Sequence, residues 1–178
     1  MKIADTDILI FTGADGAGAG HWQRRWAERF PNARLVGPGA EPEAWRKSAI
    51  AAIQSAEKPV VVVAHGFGVS VLVQVAGDVL AGKVRGALLV APIDHEMASP
   101  PALAKRFGEV PRDPLPFASL LVAANDDPLL SAERAADLAA AWGAELHLAG
   151  PAGRIDLSSG HGPWPEGLLM FTRLMQRI

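Results

Sequence analysis

The sequence contains no cysteine, which excludes disulfide bonds, thiolate zinc sites and a cysteine nucleophile. It also has no large excess of one charge: 17 basic and 19 acidic residues give a net charge of −2 without a basic stripe, so we expect no nucleic-acid partner. Apolar runs such as Val60–Ala64 are far shorter than the roughly 18 residues that cross a bilayer, and the first residues do not resemble a signal peptide. These absences predict a cytoplasmic protein without a membrane partner.

The apolar content is sufficient for one sizeable core. Hydrophobic residues make up 49% of the 178 positions and charged residues 20%, which favours a single domain over residues 1–178. Short β-branched or aliphatic runs recur at about the length of a strand plus a returning helix. They begin near Ile8, Ala33, Val60, Gly86, Ser119 and Glu145. This alternation predicts an α/β fold with a mostly parallel sheet of about six strands and helices on both faces, a three-layer sandwich.

Several segments between the strands have helical spacing. Their apolar faces are Trp22, Trp26 and Phe30 before Pro31; Val69, Leu72, Val73, Ala76, Val79 and Leu80; Ala135, Leu138, Ala139 and Trp142; and Leu168, Phe171, Leu174, Met175 and Ile178. Ser131 is a suitable N-cap for the third helix, Gly143 follows its end, and Pro165 opens the last helix. Residues 98–118 contain five prolines and one short helix near Leu103–Phe107, which predicts an irregular surface excursion.

The third strand is followed directly by a turn of small residues. Val60–Ala64 continues into His65-Gly66-Phe67-Gly68, and a helix begins near Val69. A strand, a sharp turn and a helix are the context of a nucleophile elbow, in which Ala64 and Gly68 would be the outer small residues. The middle position is Gly66, which has no side chain to attack a substrate. Glycine-rich turns are common in other α/β proteins, but this turn lacks the lysine of a P-loop and the third glycine of a dinucleotide site, so we expect no cofactor.

Further segments extend this pattern in order along the chain. They are Gly20–Trp26, Pro114–Leu120, Ala123–Pro128, Ala140–Leu146, Ala152–Ile155 and Trp164–Gly167. Together with Ala64–Gly68, they resemble the small serine hydrolases of the α/β-hydrolase superfamily related to retinoblastoma-binding protein nine, over roughly Ile8 to Phe171. The resemblance implies an α/β-hydrolase-like fold and descent from an esterase-type hydrolase.

The resemblance also assigns each member of a serine–histidine–aspartate triad to a position in this chain. The nucleophile of the family's Ala-His-Ser-Leu-Gly falls on Gly66, the acid falls on Asp127, and the histidine of Ala-Gly-His-Ile falls on Arg154. The acid is therefore retained, whereas the nucleophile and the base are replaced. The loop after the first strand also differs from the family pattern, because Gly13 and Ala14 stand where a Pro-Gly-Trp pattern is expected.

These replacements predict that conventional hydrolase turnover is lost. Arginine stays protonated and has no acceptor nitrogen, so Arg154 cannot take a proton from a nucleophile, and Gly66 supplies no nucleophile. The elbow position requires a positive φ, which glycine adopts without strain, so Gly66 is expected to keep the shape of the turn. We expect Arg154 to form a bidentate ion pair with Asp127; the alternative is a solvent-facing arginine without a partner.

Other side chains are weak candidates for a replacement catalyst. Ser70 is expected to bond a backbone carbonyl one turn back in its helix. His95 stands between Asp94 and Glu96, but a metal would need a further ligand, so we expect no metal site. The remaining histidines are expected to be structural or exposed: His21 and His65 near the elbow, His147 on the last strand, and His161 in a turn.

Three functions stay open. Backbone N–H groups at the elbow, including that of Phe67, form an anion-friendly place at a helix N-terminus. The first possibility is a non-catalytic homologue that binds a small anionic or acyl ligand, or a protein partner, with Phe67, Gly13, Ala14, His21 and His65 near the ligand. The second is a weak or atypical carboxylester hydrolase that uses residues outside the family pattern. The third is a scaffold with a collapsed pocket, and whether the chain is an enzyme stays open.

Overall fold

The computed structural model describes residues 1–77, 82–96 and 101–178. Within these ranges six parallel strands form one sheet in the order β2-β1-β3-β4-β5-β6. The strands are β1 (Asp7–Phe11), β2 (Ala33–Val36), β3 (Val60–His65), β4 (Val84–Val90), β5 (Ala118–Ala123) and β6 (Glu145–Leu148). All six lie where the apolar runs predict them, which confirms the predicted sheet.

Helices connect these strands. They are α1 (Trp22–Arg29), α2 (Pro42–Gln54), α3 (Phe67–Val75), α4 (Pro101–Phe107), α5 (Ala132–Trp142) and α6 (Pro165–Arg177), with short 3₁₀ turns at Ile3–Asp5 and Leu157–Ser159. Helix α1 ends before Pro31 and α6 begins at Pro165, as the sequence predicts. Helix α2 has no predicted counterpart. The predicted continuation of the α3 face to Val79 and Leu80 lies outside the described residues.

Side chains alternate between the two faces of the sheet, and each face is covered by helices. In β1, Leu9 and Phe11 pack in the layer that contains α2, α3 and α5, whereas Ile8 and Ile10 pack in the layer of α1 and α6. Every residue of β3 is buried, as expected for a central strand of a parallel sheet covered on both sides. This arrangement confirms the three-layer sandwich and brings the ends of β1, β3, β4 and β5 together at one edge.

The described part of the segment before β5 contains α4 and a stretch that is hydrogen-bonded to the end of α5. Helix α4 matches the short helix predicted within residues 98–118, of which residues 98–100 lie outside the described ranges. The indole Nε1 of Trp142 donates to the carbonyl of Pro111 at 2.9 Å, and the Leu115 N–H donates to the Trp142 carbonyl at 3.0 Å. Ser131 caps the start of α5 as predicted, because its side chain accepts from the Arg134 N–H. Residues 111–115 therefore lie beside the end of α5.

None of the helices in the described ranges combines the length and the apolar character needed to cross a lipid bilayer.

Candidate active site

The turn between β3 and α3 has the backbone of a nucleophile elbow. Gly66 has φ +57° and ψ −125°, which confirms the predicted positive φ, and its N–H donates to the carbonyl of Val90 at 3.1 Å. A residue with a β-carbon would be strained there by about 1–3 kcal/mol, whereas glycine is not. The turn therefore keeps its shape without the residue that the family uses as nucleophile.

The elbow is pressed against the end of β1. A β-carbon added to Gly68 would lie 2.6 Å from the carbonyl oxygens of both Phe11 and Thr12, so only glycine fits at this position. A β-carbon on Gly66 would lie 3.8 Å from the Cα of Gly13. The loop that contains Gly13 and Ala14, where the resemblance expects a Pro-Gly-Trp pattern, thus lies beside the elbow.

Asp127 lies in the turn after β5, and its side chain is fully buried. Its Oδ1 accepts from the Leu129 N–H at 2.8 Å, and its Oδ2 accepts from Arg154 Nη1 at 2.6 Å. The expected ion pair is present, but the bidentate geometry is wrong, since Leu129 occupies the second carboxylate oxygen. Burial raises the pKa of the Asp127 carboxyl, and the Arg154 guanidinium and the Leu129 N–H act against that rise.

The Arg154 guanidinium fills the space in front of Gly66. Its Nη2 donates to the carbonyl of Ala91 at 2.9 Å, and its Nη1 also lies 3.4 Å from the carbonyl of Pro92. A β-carbon on Gly66 would lie 3.4 Å from Nη2. The Arg154 side chain is 13% exposed, so the alternative of a solvent-facing arginine is wrong. The positions of the family's nucleophile, acid and base therefore meet in space, with a cation where the base would be. We call these three residues, Gly66, Asp127 and Arg154, the inherited centre.

His65 anchors the loop that carries Arg154. Its Nε2 lies 2.8 Å from the Arg154 carbonyl oxygen. Because a carbonyl only accepts, Nε2 carries the ring proton and Nδ1 is left as an acceptor. Burial lowers the pKa of His65 to about 4, so the ring is neutral near pH 7. This geometry explains a structural role for the histidine that precedes Gly66.

The other residues expected near a ligand surround the elbow. His21 is the N-cap of α1, where its Nδ1 accepts from the Gln23 N–H at 3.2 Å, and burial lowers its pKa. The Phe67 ring stacks on Phe107 with centroids 4.6 Å apart, while its N–H opens α3. These contacts show that the Phe67 side chain packs against Phe107 and that Nδ1 of His21 caps α1.

Ser70 has a partner that the sequence does not reveal. Its Oγ lies 2.9 Å from Nε2 of His95, so the expected bond to a preceding backbone carbonyl is wrong. The His95 Nδ1 lies 3.1 Å from the carbonyl oxygen of Gly108. Both side chains line a cavity of about 410 Å³ beside the elbow, which Leu138 and Trp142 of α5 also line.

The side chains of the remaining candidates have other partners or line a separate cavity. Asp94 binds Arg134 Nε at 2.9 Å and the Glu96 N–H at 3.1 Å. His161 Nδ1 lies 3.2 Å from the Ser159 hydroxyl, and His161 and His147 line a separate cavity near the start of α6. Among the described residues, no group of three acidic or histidine side chains is placed to hold a metal ion.

A parallel sheet of this order, with an elbow after β3 and an acid after β5, defines a protein of the α/β-hydrolase fold. Residues 8–173 match the serine hydrolase family, and the chain belongs to that family. No individually curated protein matches the sequence.

Solved structures agree with this assignment. A protein described as a YdeN-like hydrolase from Pectobacterium atrosepticum is 27% identical, with a TM-score of 0.84 over 97% of this chain and 92% of that one. The ydeN gene product of B. subtilis is 17% identical, with a TM-score of 0.79 over 96% and 99% of the two chains. Esterase 2 of Thermogutta terrifontis is 16% identical, with a TM-score of 0.66 over 97% of this chain and 83% of its own. The last two likenesses show the fold.

Proposed function

We propose that this member of the serine hydrolase family no longer carries out acyl transfer at its inherited centre and acts by binding a small acyl-bearing molecule beside it. The observation that supports this is the position of the Arg154 guanidinium, 2.6 Å from Asp127 and 3.4 Å from where a side chain on Gly66 would begin. A permanent cation stands where the base would be, and no neutral nitrogen is left at that position to accept a proton.

The charges near the elbow favour an uncharged acyl ligand over an anion. The Arg154 cation faces the buried Asp127 carboxyl, and both of its terminal nitrogens contact carbonyl oxygens. It therefore offers little to a carboxylate or a phosphate. The neighbouring cavity has three acidic side chains, Asp94, Glu96 and Glu109, against two guanidinium groups, Arg112 and Arg134. An anion would meet more negative than positive charge there.

The cavity also has the size and lining of a small-molecule site. A volume of about 410 Å³ lies within the range of roughly 300–1,000 Å³ that is usual for ligand pockets. Ile93, Val110, Leu138 and Trp142 supply apolar surface for an acyl chain. A protein partner in place of a small molecule is the second form of the proposal, and a cytoplasmic location is part of both.

Thermal unfolding with added compounds tests the ligand site. We expect N-butylbutanamide, an uncharged acyl probe, to stabilise the protein by about 2.7 kcal/mol at 100 times its dissociation constant, and butyrate and inorganic phosphate to have smaller effects. Val110→Trp, which fills the cavity, should abolish the shift. Leu168 lines a different cavity, between α1 and α6, so Leu168→Trp is the matched control and should retain the shift.

Three outcomes would contradict the proposal or redirect it. Stabilisation that persists in Val110→Trp would mean that the ligand lies elsewhere. Stabilisation by phosphate or butyrate alone would mean that the ligand is an anion that binds at the elbow. No shift with any probe would favour a scaffold.

A further inference from the structure

The contact between Ser70 and His95 has the geometry of an activated nucleophile. Ser70 lies on α3, one helical turn after Gly66, and its Oγ is 2.9 Å from His95 Nε2. The other ring nitrogen of His95 lies 3.1 Å from the Gly108 carbonyl oxygen. A nucleophile within hydrogen-bond reach of a base, with the base oriented by a third group, is the arrangement that activates serine in covalent catalysis.

The hydrogen bonds fix the protonation state of this pair. The Gly108 carbonyl can only accept, so His95 Nδ1 carries the proton and Nε2 presents a lone pair to the Ser70 hydroxyl. Burial lowers the pKa of His95, which keeps the ring neutral near pH 7. His95 is therefore in the state that a general base requires.

The pair lies where an acyl ligand would reach it. Ser70 is buried at 3% exposure and His95 is half-buried, and both line the cavity of about 410 Å³ beside the elbow. The apolar wall from Leu138 and Trp142 stands in the same cavity. Among the described residues that line this volume, the Ser70 hydroxyl and the His95 imidazole are neutral polar groups, and the indole N–H of Trp142 is bound to the Pro111 carbonyl.

We propose that Ser70 is a nucleophile and His95 its general base, and that the cavity takes an uncharged ester with a short apolar acyl group. This inference rests on the proposed function for the place of the ligand and adds covalent chemistry to it. The site is separate from the inherited centre, because its nucleophile comes from the body of α3 and its base from the segment after β4.

The reaction balances with water as the only co-reactant. Ser70 Oγ forms a bond to the ester carbonyl carbon while its proton passes to His95 Nε2. The bond from the carbonyl carbon to the alkoxy oxygen then breaks, and His95 returns the proton to the leaving alcohol. Water later attacks the acyl-serine with His95 as base, which releases the carboxylic acid and regenerates the Ser70 hydroxyl.

With an activated ester such as p-nitrophenyl butyrate, acylation should be faster than deacylation, because p-nitrophenolate is a better leaving group than the Ser70 alkoxide, and the weak support around His95 keeps the second step slow. His95 is oriented by a backbone carbonyl, since the neighbouring Asp94 is bound to Arg134 and to the Glu96 N–H. Arg134, a cation that lines the cavity, has its Nε engaged by Asp94 and is not free to stabilise a developing oxyanion at that nitrogen. We therefore expect one acyl group per chain to accumulate instead of rapid turnover.

Mass spectrometry after incubation with p-nitrophenyl butyrate tests this directly. We expect one butyryl group per chain, on the peptide that contains Ser70, with release of one equivalent of p-nitrophenol. Ser70→Ala should abolish the modification, and His95→Gln should slow it by about 100-fold. Ser119→Ala is the matched control, because Ser119 is also buried but lies on β5 and donates to the Phe117 carbonyl. Modification at another residue, or a rate unchanged in His95→Gln, would overturn the proposal.

The absence of cysteine supplies a second test that does not depend on an ester. Ser70→Cys introduces the only thiol, and iodoacetamide should alkylate it faster than the thiol of Ser119→Cys. Adding His95→Gln should remove that advantage. Equal alkylation rates at the two positions would contradict an accessible, base-assisted side chain at Ser70. Stabilisation by N-butylbutanamide without butyrylation would overturn the nucleophile alone and leave the proposed ligand site standing.

Discussion

Two polar centres lie one helical turn apart at the start of α3, and they are built in opposite ways. At the elbow, Gly66 removes the side chain, and the cation of Arg154, 13% exposed, is paired with the fully buried Asp127. In the cavity, Ser70 keeps a hydroxyl and His95 a neutral ring beside about 410 Å³ of open volume. The first centre is filled by charge, whereas the second has room for a ligand.

The difference shows which features of the elbow the fold requires and which only a catalytic reaction requires. The turn at Gly66 keeps its backbone because Gly68 is packed against the carbonyls of Phe11 and Thr12, whichever residue stands at the nucleophile position. The side chains at the nucleophile and base positions, 66 and 154, can change as long as the buried Asp127 keeps a partner. The elbow can thus persist as a structural feature without a side chain at position 66.

The largest contrast should appear when each buried carboxylate is neutralised. Asp127→Asn should lower the free energy of unfolding by about 3–5 kcal/mol, because the buried Arg154 loses its counter-charge. Asp94→Asn should lower it by less than about 1 kcal/mol, since its partner Arg134 is 38% exposed and solvent screens that pair. Urea unfolding at pH 7 measures both. Equal losses would mean that the two centres do not differ in burial as described.

At low pH, protonation of His65 at the elbow should cost more folding stability than protonation of His95 in the cavity. The pKa of His65 falls from 6.5 to about 4 on folding, so its contribution is complete above pH 6.5 and is lost as the pH falls toward 4. That contribution is on the order of 3 kcal/mol. Between pH 7 and 4.5, His65→Gln should therefore lose less stability than the natural chain. His95→Gln should reduce the stability lost between these pH values by a smaller amount, because His95 is only half-buried. The reverse order would contradict the comparison.

A smaller effect is expected from the packing beneath the elbow. Gly68→Ala should destabilise the protein by about 1–3 kcal/mol, because its β-carbon would overlap two carbonyl oxygens at 2.6 Å. Gly18→Ala is the control, since nothing lies within 4 Å of a β-carbon there. Thermal unfolding of the two variants measures the difference, and a tolerated alanine at 68 would show that the elbow is not pressed against β1.

Much of the architecture can be predicted from the sequence because local patterns encode it. Buried runs such as Val60–Ala64 mark the strands, and the capping serine and proline mark the ends of helices. Helix α2 carries the same kind of signal, with Trp45, Ala49 and Ile53 buried at helical spacing behind a proline at its first turn. That periodicity, combined with Pro42, would have located it.

The site is only partly predictable, because its contacts join distant segments. The pairing of Arg154 with Asp127 follows from the family positions, but the loss of the second hydrogen bond depends on the turn that brings the Leu129 N–H to Oδ1. The contact of Ser70 with His95 joins residues on different elements, and no local spacing indicates it. It depends on how the segment after β4 folds back over α3.

The most direct test of the inherited centre is its repair. The account predicts that Gly66→Ser with Arg154→His together yields multiple-turnover hydrolysis of p-nitrophenyl acetate, because serine, histidine and Asp127 would again form a triad. Each single variant should stay at the level of the natural chain, since neither restores both nucleophile and base. Turnover by the natural chain as fast as that of the double variant would contradict the claim that Gly66 and Arg154 have silenced this centre.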